Sequence, residues 1–378
     1  MTIPEFSRTL RVPAFTTAHS HAFQRALRGK AQRPGPLTAD DFWTWREAMY
    51  TLVEGLTPDS VEAIARVAYR ELHASGIRTV GEFHYVHHAP NGVPYDDGNE
   101  LAHRVIRAAL DSGLRISLLR SIYQRGGHGL GLAKAQERFA DKSLDASLRA
   151  ISDLQTYYAN NPLVRIGIAP HSTRAVHPAA WKEIVAFAQE RDLPFHVHVA
   201  EQPRELDECL HETGMRPLQL LEDRGAISPR LVVVHGTHLL PEESEILGKS
   251  QGFVCMCATT ERDLGDGLPN LGAMRAAGVR LCMGIDSHVV CDPFDDMRAL
   301  ETHERLRTGR RVAARVAHPA ASLWASASTE GAKACGFDGD GPSLTVRTDA
   351  PFFALVDAGD ELDALVFSGT RALDGLFA

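Results

Sequence analysis

The sequence of 378 residues predicts an α/β protein whose eight strands close into a (β/α)8 barrel. Short apolar runs recur eight times along the chain, and most are followed by a turn and a longer amphipathic stretch. Strands that alternate with helices pair in parallel, and eight such units are the number that closes a barrel. An open doubly wound sheet is the alternative fold, but no glycine-rich dinucleotide-binding motif follows the first predicted strand.

The predicted strands are spread over most of the chain. They are LRVPAFTTA (10–18), TVGEFHYV (79–86), RISLLRSIY (115–123), VRIGIAP (164–170), PFHVHVAE (194–201), LVVVHGT (231–237), GFVCMCA (252–258) and RLCMGID (280–286). Residues 58–76 predict a helix that starts at Pro-Asp and stops at Gly. Residues 98–113 and 178–192 also carry apolar side chains at helical spacing and predict two further helices.

The barrel is predicted to occupy residues 13–335, with a short segment on either side of it. Residues 1–12 form a short N-terminal segment, and residues 336–378 form a β-rich tail in which residues 342–369 predict two or three strands. We expect the two chain ends to build a reduced β-rich accessory region. Residues 37–56 form an aromatic-rich insertion after the first strand.

Composition and charge argue against several classes of protein. The chain is 44% hydrophobic and 23% charged, as in ordinary globular proteins, and its net charge of -8 disfavours a nucleic-acid partner. No stretch approaches the roughly 20 apolar residues of a membrane helix, and the first residues lack the apolar region of a signal peptide. Six cysteines are too few for a disulfide scaffold, so a reducing, cytoplasmic location is predicted.

Histidines gather at the carboxyl ends of the predicted strands, where barrel enzymes place their chemistry. His19 and His21 end the first strand on one face, because strand side chains alternate with period two. His198 lies in the fifth strand, and Asp286 ends the eighth. Three neutral imidazoles and one carboxylate suit a zinc-like divalent ion with one position left for water. A lone histidine at a strand end is more often a hydrogen-bonded rim residue. The prediction of a metal site therefore depends on all four residues occurring together at the strand ends.

The fifth strand carries two histidines that share a face, so strand parity does not choose between them. His198 stands nearer the catalytic end and three residues before Glu201, which favours it as the metal ligand. His196 is predicted to be a buried histidine of the barrel layers.

Further groups at the strand ends are suited to moving protons. A metal ion lowers the pKa of bound water to about 7, and Glu201 can carry a proton towards a leaving nitrogen as carboxylates do in zinc deaminases. His235 can polarise the attacked group or the water, and Asp286 can take the proton of the water as well as bind the metal. Taken alone, Glu201 could be a solvated loop carboxylate and Asp286 a helix N-cap.

Eight stretches of the chain, in the same order from about residue 15 to residue 305, resemble one known superfamily. They are HSHAFQRAL (19–27), FWTWREAMY (42–50), EFHYVHH (82–88), PHSTRAV (170–176), HVHVAEQ (196–202), VVHGTHL (233–239), TTERDLGDG (259–267) and GIDSHV (284–289). They are similar to the amidohydrolase superfamily, specifically its mononuclear deaminase branch. HSHAFQ is fairly specific, and FWTWRE and EFHYVHH point beyond the generic pattern to the formimidoylglutamate deiminases.

The resemblance implies a reaction and a set of site residues. It implies one divalent ion per subunit, zinc or else iron, bound by His19, His21, His198 and Asp286. It implies proton handling by Glu201 and His235, with Asp286 as base, and substrate contacts at Gln24, Arg46, Tyr85, His171 and Arg174. The implied reaction is hydrolysis of N-formimidoyl-L-glutamate to N-formyl-L-glutamate and ammonia, a step of histidine degradation, in which metal-bound hydroxide attacks the formimidoyl carbon. A homodimer is implied as well.

The charges of the expected contacts agree with a small dicarboxylate amidine as substrate. Guanidinium groups form bidentate pairs with carboxylates, and the expected contacts include two arginines for two carboxylates. Arg46 lies in the aromatic-rich insertion, Arg174 follows the fourth strand, and Gln24 is placed to hydrogen-bond the formimidoyl nitrogen. The alternative for Arg46 is a surface helix arginine paired with Glu47.

The sequence departs from the family pattern in three places. The segment that precedes HSHAFQ in the family and helps build a small β-sandwich there is nearly absent, and the tail is short, so the accessory region is expected to be a remnant of that sandwich. The end of the third strand, with Arg120 and Arg125, matches only loosely. These departures leave the substrate and the oligomer contacts open.

Three alternative functions stay open at this point. One is a related deaminase for another amidine or a purine-like ring, against which the two arginines argue. Another is a catalytically inactive relative that serves as a binding protein, which is disfavoured because every expected ligand position is filled. A two-metal hydrolase is disfavoured because the fourth strand ends in APHS (169–172) and lacks a bridging lysine or glutamate.

Overall fold

The computed structural model describes residues 9–32, 41–313 and 316–370. Its strands are β1 (Thr9–Pro13), β2 (Phe15–Ser20), β3 (Ile77–His84), β4 (Arg115–Ile122), β5 (Val164–Pro170), β6 (Phe195–Val199), β7 (Leu231–His235), β8 (Phe253–Met256), β9 (Arg280–Met283) and β10 (Ser343–Arg347). Short 3-10 helices cover Ala22–Leu27, Pro90–Gly92, Lys134–Phe139 and Pro351–Phe353.

The α-helices of the described stretches lie mostly between these strands. They are α1 (Phe42–Glu54), α2 (Pro58–Ala74), α3 (Glu100–Asp111), α4 (Leu144–Tyr158), α5 (Trp181–Glu190), α6 (Pro203–Thr213), α7 (Pro217–Asp223), α8 (Pro241–Ser250), α9 (Ala258–Leu264), α10 (Leu271–Ala276), α11 (Pro293–Thr308), α12 (Pro319–Ser326), α13 (Thr329–Ala334) and α14 (Glu361–Ser368). The three helices predicted from apolar spacing are confirmed as α2, α3 and α5. None of the helices described is long and apolar enough to cross a membrane.

Strands β2 to β9 form one parallel sheet in chain order, which confirms the predicted (β/α)8 barrel. A parallel bridge between Ser20 and Asp286 joins the end of the first barrel strand to the segment after the last. The His21 amide donates to the Asp286 carbonyl at 3.0 Å, and the Asp286 amide donates to the His19 carbonyl at 3.1 Å. The hydrogen bonds of this closing seam therefore hold three of the four predicted metal ligands.

The stretch predicted as one first strand, 10–18, is two strands, because the chain changes its pairing partner after Ala14. The Ala14 amide donates to the Pro342 carbonyl beside β10, whereas the Phe15 amide donates to the Gly76 carbonyl before β3. β1 therefore leaves the barrel and pairs antiparallel with β10 in a separate two-stranded sheet. This sheet of the two chain ends agrees with the expected accessory region.

The prediction of two or three strands in residues 342–369 is wrong beyond β10. Residues 361–368 form α14, which contacts α11 and α12 and buries Leu365 and Val366. The apolar residues of this stretch are thus placed by packing on helices, which an apolar run alone does not reveal. Residues 1–8 and 371–378 lie outside the described stretches, and the domain limits at residues 12 and 335 stay predictions.

Helix α1 lies in the aromatic-rich insertion after the first barrel strand. Asp41 caps it by accepting hydrogen bonds from the Trp43 and Thr44 amides, which satisfies donors that the first turn leaves free. The helix contacts the 3-10 helices Ala22–Leu27 and Lys134–Phe139 at the carboxyl ends of the strands. Residues 37–40 of the predicted insertion lie outside the described stretches.

Candidate metal and catalytic centre

The side chains of the four predicted metal ligands converge at the closing seam of the barrel. His19 Nε2 lies 3.1 Å from His21 Nε2, and the two lie 3.4 and 3.5 Å from Asp286 Oδ1. His198 joins this group, since ring nitrogens of the three histidines all lie within 4.8 Å of one another. All four residues are buried. The period-two spacing of His19 and His21 thus has the expected geometric result.

Two of the histidines have their proton position fixed by a backbone carbonyl. His21 Nδ1 lies 2.8 Å from the Phe83 carbonyl, and His198 Nδ1 lies 2.9 Å from the His171 carbonyl. A carbonyl only accepts, so each Nδ1 carries the proton and each Nε2 presents a lone pair to the centre. Burial lowers the pKa of His19 to about 3, and it also lowers the pKa values of His21 and His198. The imidazoles are therefore neutral at pH 7, as metal ligands must be.

The donor set fits a small divalent cation. Ligand atoms about 2.0–2.1 Å from a tetrahedral zinc ion lie roughly 3.3 Å apart, and the separations among His19, His21 and Asp286 are 3.1–3.5 Å. Burial favours the neutral form of Asp286, but the hydrogen bond with His19 and the charge of His235 hold the pKa of its carboxyl below the ordinary value. The carboxylate therefore offers the single negative charge that accompanies three neutral nitrogens.

The backbone at the strand ends is bent to aim these groups. Ala200, His235 and Asp286 all have positive φ, at 55°, 68° and 54°, a left-handed conformation that costs free energy for residues with a Cβ. Gly284 needs to be glycine for a different reason, since a Cβ there would lie 2.7 Å from the His19 Cβ. The backbone beside the centre is therefore locally strained, and its segment at Gly284 packs closely against His19.

A second cluster, of Glu201, His235, Glu261 and Asp286, is placed to hold and move protons. His235 Nε2 lies 3.5 Å from Glu201 Oε1 and 3.8 Å from Asp286 Oδ2, and His235 Nδ1 lies 3.4 Å from Glu261 Oε1. Burial opposes the imidazolium, but the surrounding carboxylates outweigh it and raise the pKa of His235 to about 10. Burial raises the pKa of Glu201 above its ordinary value. Both groups can therefore hold a proton near neutral pH.

Sequence reasoning missed Glu261 and Asp266. The carboxylate of Glu261 accepts from the Cys257 amide at 2.9 Å, which fixes it against His235. Asp266 accepts a hydrogen bond from the Gln202 side-chain amide. One of its carboxylate oxygens lies within 4.8 Å of side-chain ligand atoms of Glu201 and His235. Both acids lie in the quoted stretch TTERDLGDG (259–267), so their presence at the end of β8 was the available signal.

The five predicted substrate contacts line one cavity together with His21, His198, Glu201, His235 and Asp286. The five contacts are Gln24, Arg46, Tyr85, His171 and Arg174. Gln24 Nε2 donates to the Tyr85 hydroxyl at 3.0 Å, and Gln24 Oε1 is a buried acceptor with no partner among the described residues. His171 stacks on His198, with ring centroids 4.9 Å apart.

The two predicted arginines face this cavity from opposite elements. Arg174 lies 3.8 Å from Glu201 and 3.5 Å from Glu205, measured between nitrogen and oxygen. Arg46 stacks on Trp43, with its guanidinium carbon 4.5 Å from the ring centroid, and its Nε is buried without a hydrogen-bond partner among the described residues. Arg46 thus lines the cavity, which disfavours the alternative of a surface arginine paired with Glu47.

Three other residues singled out in the sequence lie away from the centre. His196 Nε2 contacts the Ala334 carbonyl at 2.9 Å, as expected of a buried layer histidine. Arg120 pairs with Asp141 and Arg125 with Glu212, so both arginines at the end of the third predicted strand are engaged in ion pairs. The strand end that matches the family only loosely therefore holds ion pairs outside the cavity, since neither arginine lines it.

Comparison with known proteins places this geometry in a family. The model of the amidohydrolase family matches residues 10–372. Formimidoylglutamate deiminase of Pseudomonas aeruginosa is 39% identical over 305 residues, which are 79% of this chain and 66% of that protein, slightly under two thirds of its length. The 8-oxoguanine deaminase of the same organism is 27% identical over 85% of this chain and 69% of that protein.

Solved structures agree with the fold. The crystal structure of an amidohydrolase from Brucella melitensis has a TM-score of 0.88 and 32% identity, covering 97% of this chain and 84% of that chain. An adenosine deaminase from Xanthomonas campestris with bound zinc has a TM-score of 0.79 and 21% identity, covering 96% of this chain and 77% of that chain. The second likeness concerns the fold alone.

Proposed function

The chain belongs to the amidohydrolase family, and on that premise we propose that it hydrolyses N-formimidoyl-L-glutamate to N-formyl-L-glutamate and ammonia. The proposal is supported by the 39% identical relative, whose name describes this activity. One observation carries it for this chain: the guanidinium groups of Arg46 and Arg174 line the same cavity as three of the four proposed metal ligands.

The two arginines suit the two carboxylates of this substrate. Arg46 has a buried Nε and Arg174 a buried Nη1 without hydrogen-bond partners among the described residues. Glu201 and Glu205 lie 3.8 and 3.5 Å from Arg174, and burial raises the pKa values of both acids. An incoming carboxylate would accept hydrogen bonds from these unpaired nitrogens, whereas a neutral purine ring would bring no negative charge to either guanidinium group.

The metal ligands would be His19, His21, His198 and Asp286, in keeping with their separations and their neutral imidazoles. A divalent ion held there supplies a hydrolytic nucleophile at neutral pH, because it lowers the pKa of water to about 7. Asp286 has its second carboxylate oxygen free of the histidine pair and accepts the proton that the water loses. His235, charged at neutral pH, holds the Asp286 carboxylate and the Glu201 carboxyl group in place through its Nε2.

The remaining steps concern the departing nitrogen. Gln24 Oε1 accepts a hydrogen bond from an N–H of the formimidoyl group and so fixes its orientation. Glu201, with its raised pKa, donates a proton to the nitrogen as the carbon–nitrogen bond breaks and ammonia leaves. Tyr85 and His171 complete the wall on the substrate side, and Tyr85 keeps the Gln24 amide in place.

Three finer points belong to the same proposal. We propose zinc as the metal, with iron as the alternative that the same ligands would accept. The reaction would be a step of histidine degradation, and six buried free thiols fit a cytoplasmic location. A homodimer stays a prediction from the resemblance.

The test is release of ammonia by purified, zinc-loaded protein from N-formimidoyl-L-glutamate, with guanine and adenosine measured in parallel. We expect turnover of the first compound only. Turnover of a purine but not of N-formimidoyl-L-glutamate would assign the chain to the rival deaminase reaction. Protein prepared without chelators that holds no zinc, iron or manganese, and takes up none when metal is added, would favour an inactive relative.

A further inference from the structure

Two tyrosines that the proposed reaction does not use line the cavity beside the arginines. Tyr50 lies on helix α1, and Tyr123 follows β4. They are 8% and 5% exposed, and both belong to the same cavity wall as Arg46 and Arg174. The two rings come from different elements, so their meeting at this wall is a product of the fold.

A single glutamine holds both phenol oxygens. Gln136 Nε2 lies 2.9 Å from the Tyr50 hydroxyl and 2.9 Å from the Tyr123 hydroxyl. The orientation of this amide is fixed at its other end, where Gln136 Oε1 accepts from the Ala133 amide at 2.8 Å. An amide NH2 group donates and does not accept, so each tyrosine oxygen is an acceptor in this arrangement.

The hydroxyl protons of the two tyrosines must therefore point elsewhere. Each phenol has one O–H to donate, and neither can donate it to Gln136. If one tyrosine donates to the oxygen of its neighbour, one O–H still has no acceptor among the described residues, because the hydrogen bonds of both hydroxyls are those with Gln136 and with each other. The remaining direction is the cavity, which both side chains line.

Tyr85, also in this wall, is a useful contrast. Its oxygen accepts from Gln24 at 3.0 Å, and its O–H points at the Met49 sulfur at 3.6 Å. The Tyr85 hydroxyl thus both accepts and donates within the protein, whereas the Tyr50 and Tyr123 pair retains one O–H that can donate to a ligand. Burial and the neighbouring Tyr50 keep the pKa of Tyr123 above the ordinary value even though Arg174 and Arg46 act to lower it, so the donor proton is retained at neutral pH.

We propose that Tyr50 and Tyr123, set by Gln136, donate hydrogen bonds to a substrate carboxylate at the arginines and make the cavity selective for carboxylates over carboxamides. The inference rests on the proposed function and deepens it. A carboxylate accepts on every side, so it satisfies guanidinium and phenol donors together. A carboxamide would turn an N–H towards one of these donors and leave buried donors unpaired, which penalises its binding.

The experiment compares Tyr50→Phe, Tyr123→Phe and the double variant with wild type. Tyr157→Phe is the matched control, because Tyr157 is 73% exposed and does not line the cavity. Hydrogen bonds to charged groups lead us to expect KM for N-formimidoyl-L-glutamate to rise about 10- to 100-fold in the double variant, with kcat within about threefold of wild type. Calorimetric affinity for N-formyl-L-glutamate should fall by the same factor, which is a readout independent of turnover.

Selectivity is measured with the two monoamides of the substrate, one at each carboxyl group. We expect wild type to disfavour at least one monoamide strongly and the double variant to reduce that preference about tenfold or more. Gln136→Leu should also raise KM, because it frees the phenols to turn away from the cavity.

The outcomes separate the inference from the function. If wild type turns over N-formimidoyl-L-glutamate while KM, product affinity and amide preference of the double variant match those of Tyr157→Phe, the inference is wrong and the proposed function stands. If wild type releases no ammonia from N-formimidoyl-L-glutamate, the proposed function is wrong and the inference is lost with it. Thermal unfolding of each variant shows whether the fold is retained.

Discussion

The cavity has two sides that are built in different ways. On the metal side, His19, His21 and Asp286 are held by backbone hydrogen bonds of the barrel seam, and the ring of His198 is held by a backbone carbonyl. The carboxylate side is the part of the cavity proposed to bind the substrate carboxylates; its Arg46 and Tyr50 lie on helix α1, and its Tyr123 and Arg174 lie on loops. Gln136 holds the two tyrosines through its side-chain amide. The barrel frame thus positions the proposed metal and proton-handling groups, while the insertion after the first strand brings Arg46 and Tyr50 to the cavity wall.

This difference teaches where substitutions should act. A change on the metal side should abolish turnover whatever the substrate, because every step needs the metal and the proton carriers. A change on the carboxylate side should alter which substrate binds and leave the chemical step nearly intact.

Asp286→Asn should have the largest effect, since one carboxylate is proposed both to bind the metal and to take a proton. We expect kcat/KM to fall at least about 10,000-fold and the bound metal to decrease. Steady-state kinetics and elemental analysis of the same preparation check this. Asp349→Asn, at an exposed position in the tail, is the control and should match wild type. Full metal content with wild-type turnover would contradict the role of Asp286.

Glu201→Gln should separate proton transfer from metal binding. An amide cannot donate a proton to the departing nitrogen as a carboxylic acid does, so kcat should fall about 100- to 10,000-fold. Metal content should stay at the wild-type level, because Glu201 lies outside the proposed ligand set. The matched control is Glu208→Gln on helix α6, outside the cavity. If Glu201→Gln lost its metal and kept its rate, Glu201 would act in metal binding and not in proton transfer.

Arg46→Met tests the recognition side. Removing one guanidinium leaves a substrate carboxylate without its partner, so KM for N-formimidoyl-L-glutamate should rise about 100-fold while kcat changes little. Arg70→Met, an exposed change on α2, serves as control. A fall of kcat with an unchanged KM would place Arg46 in the chemical machinery and break the proposed division.

Glu261→Gln should give a smaller change with a distinctive pH dependence. The carboxylates around His235 raise its pKa to about 10, so removing the Glu261 charge must lower that pKa. The imidazolium is then lost at a lower pH, and the alkaline limb of kcat against pH should move towards neutrality. At neutral pH we expect about a tenfold loss of kcat. Glu245→Gln is the exposed control, and an unmoved alkaline limb would speak against His235 as a charged group.

Trp43→Leu should have the smallest effect. The ring contacts two guanidinium groups, with the Arg46 carbon 4.5 Å and the Arg204 carbon 4.3 Å from its centroid. Cation–π contacts at partly exposed sites are weak, so KM should rise only about two- to fivefold with kcat unchanged. If KM rose as much as in Arg46→Met, Trp43 would prove to be what orients the arginine.

The barrel and the convergence of the four proposed metal ligands could be predicted from the sequence because both depend on local rules. Strand periodicity places His19 and His21 on one face, and parallel strands bring His198 and Asp286 to the same rim. Choosing His198 over His196 needed only its position along the strand, and the contact of His196 with Ala334 agrees with that choice.

Features that depend on distant partners were out of reach. The change of partner after Ala14 is set by Pro342 and Gly76, and the packing of α14 is set by helices earlier in the chain. The meeting of Tyr50 and Tyr123 on Gln136 joins three separate elements, and no spacing in the sequence encodes it. Glu261 was visible as an acid at a strand end, but its role depends on its contact with His235.

The closing seam of the barrel has a thermodynamic consequence. Its hydrogen bonds join His19 and His21, at the end of the first barrel strand, to Asp286, which follows the last strand. A cation bound by these three residues would therefore also hold the two ends of the sheet together. Such a cation binds the closed barrel and not the open one, so its binding free energy is shared with closure. We therefore expect metal affinity and the protection of the His21 and Asp286 amide protons against exchange to rise and fall together.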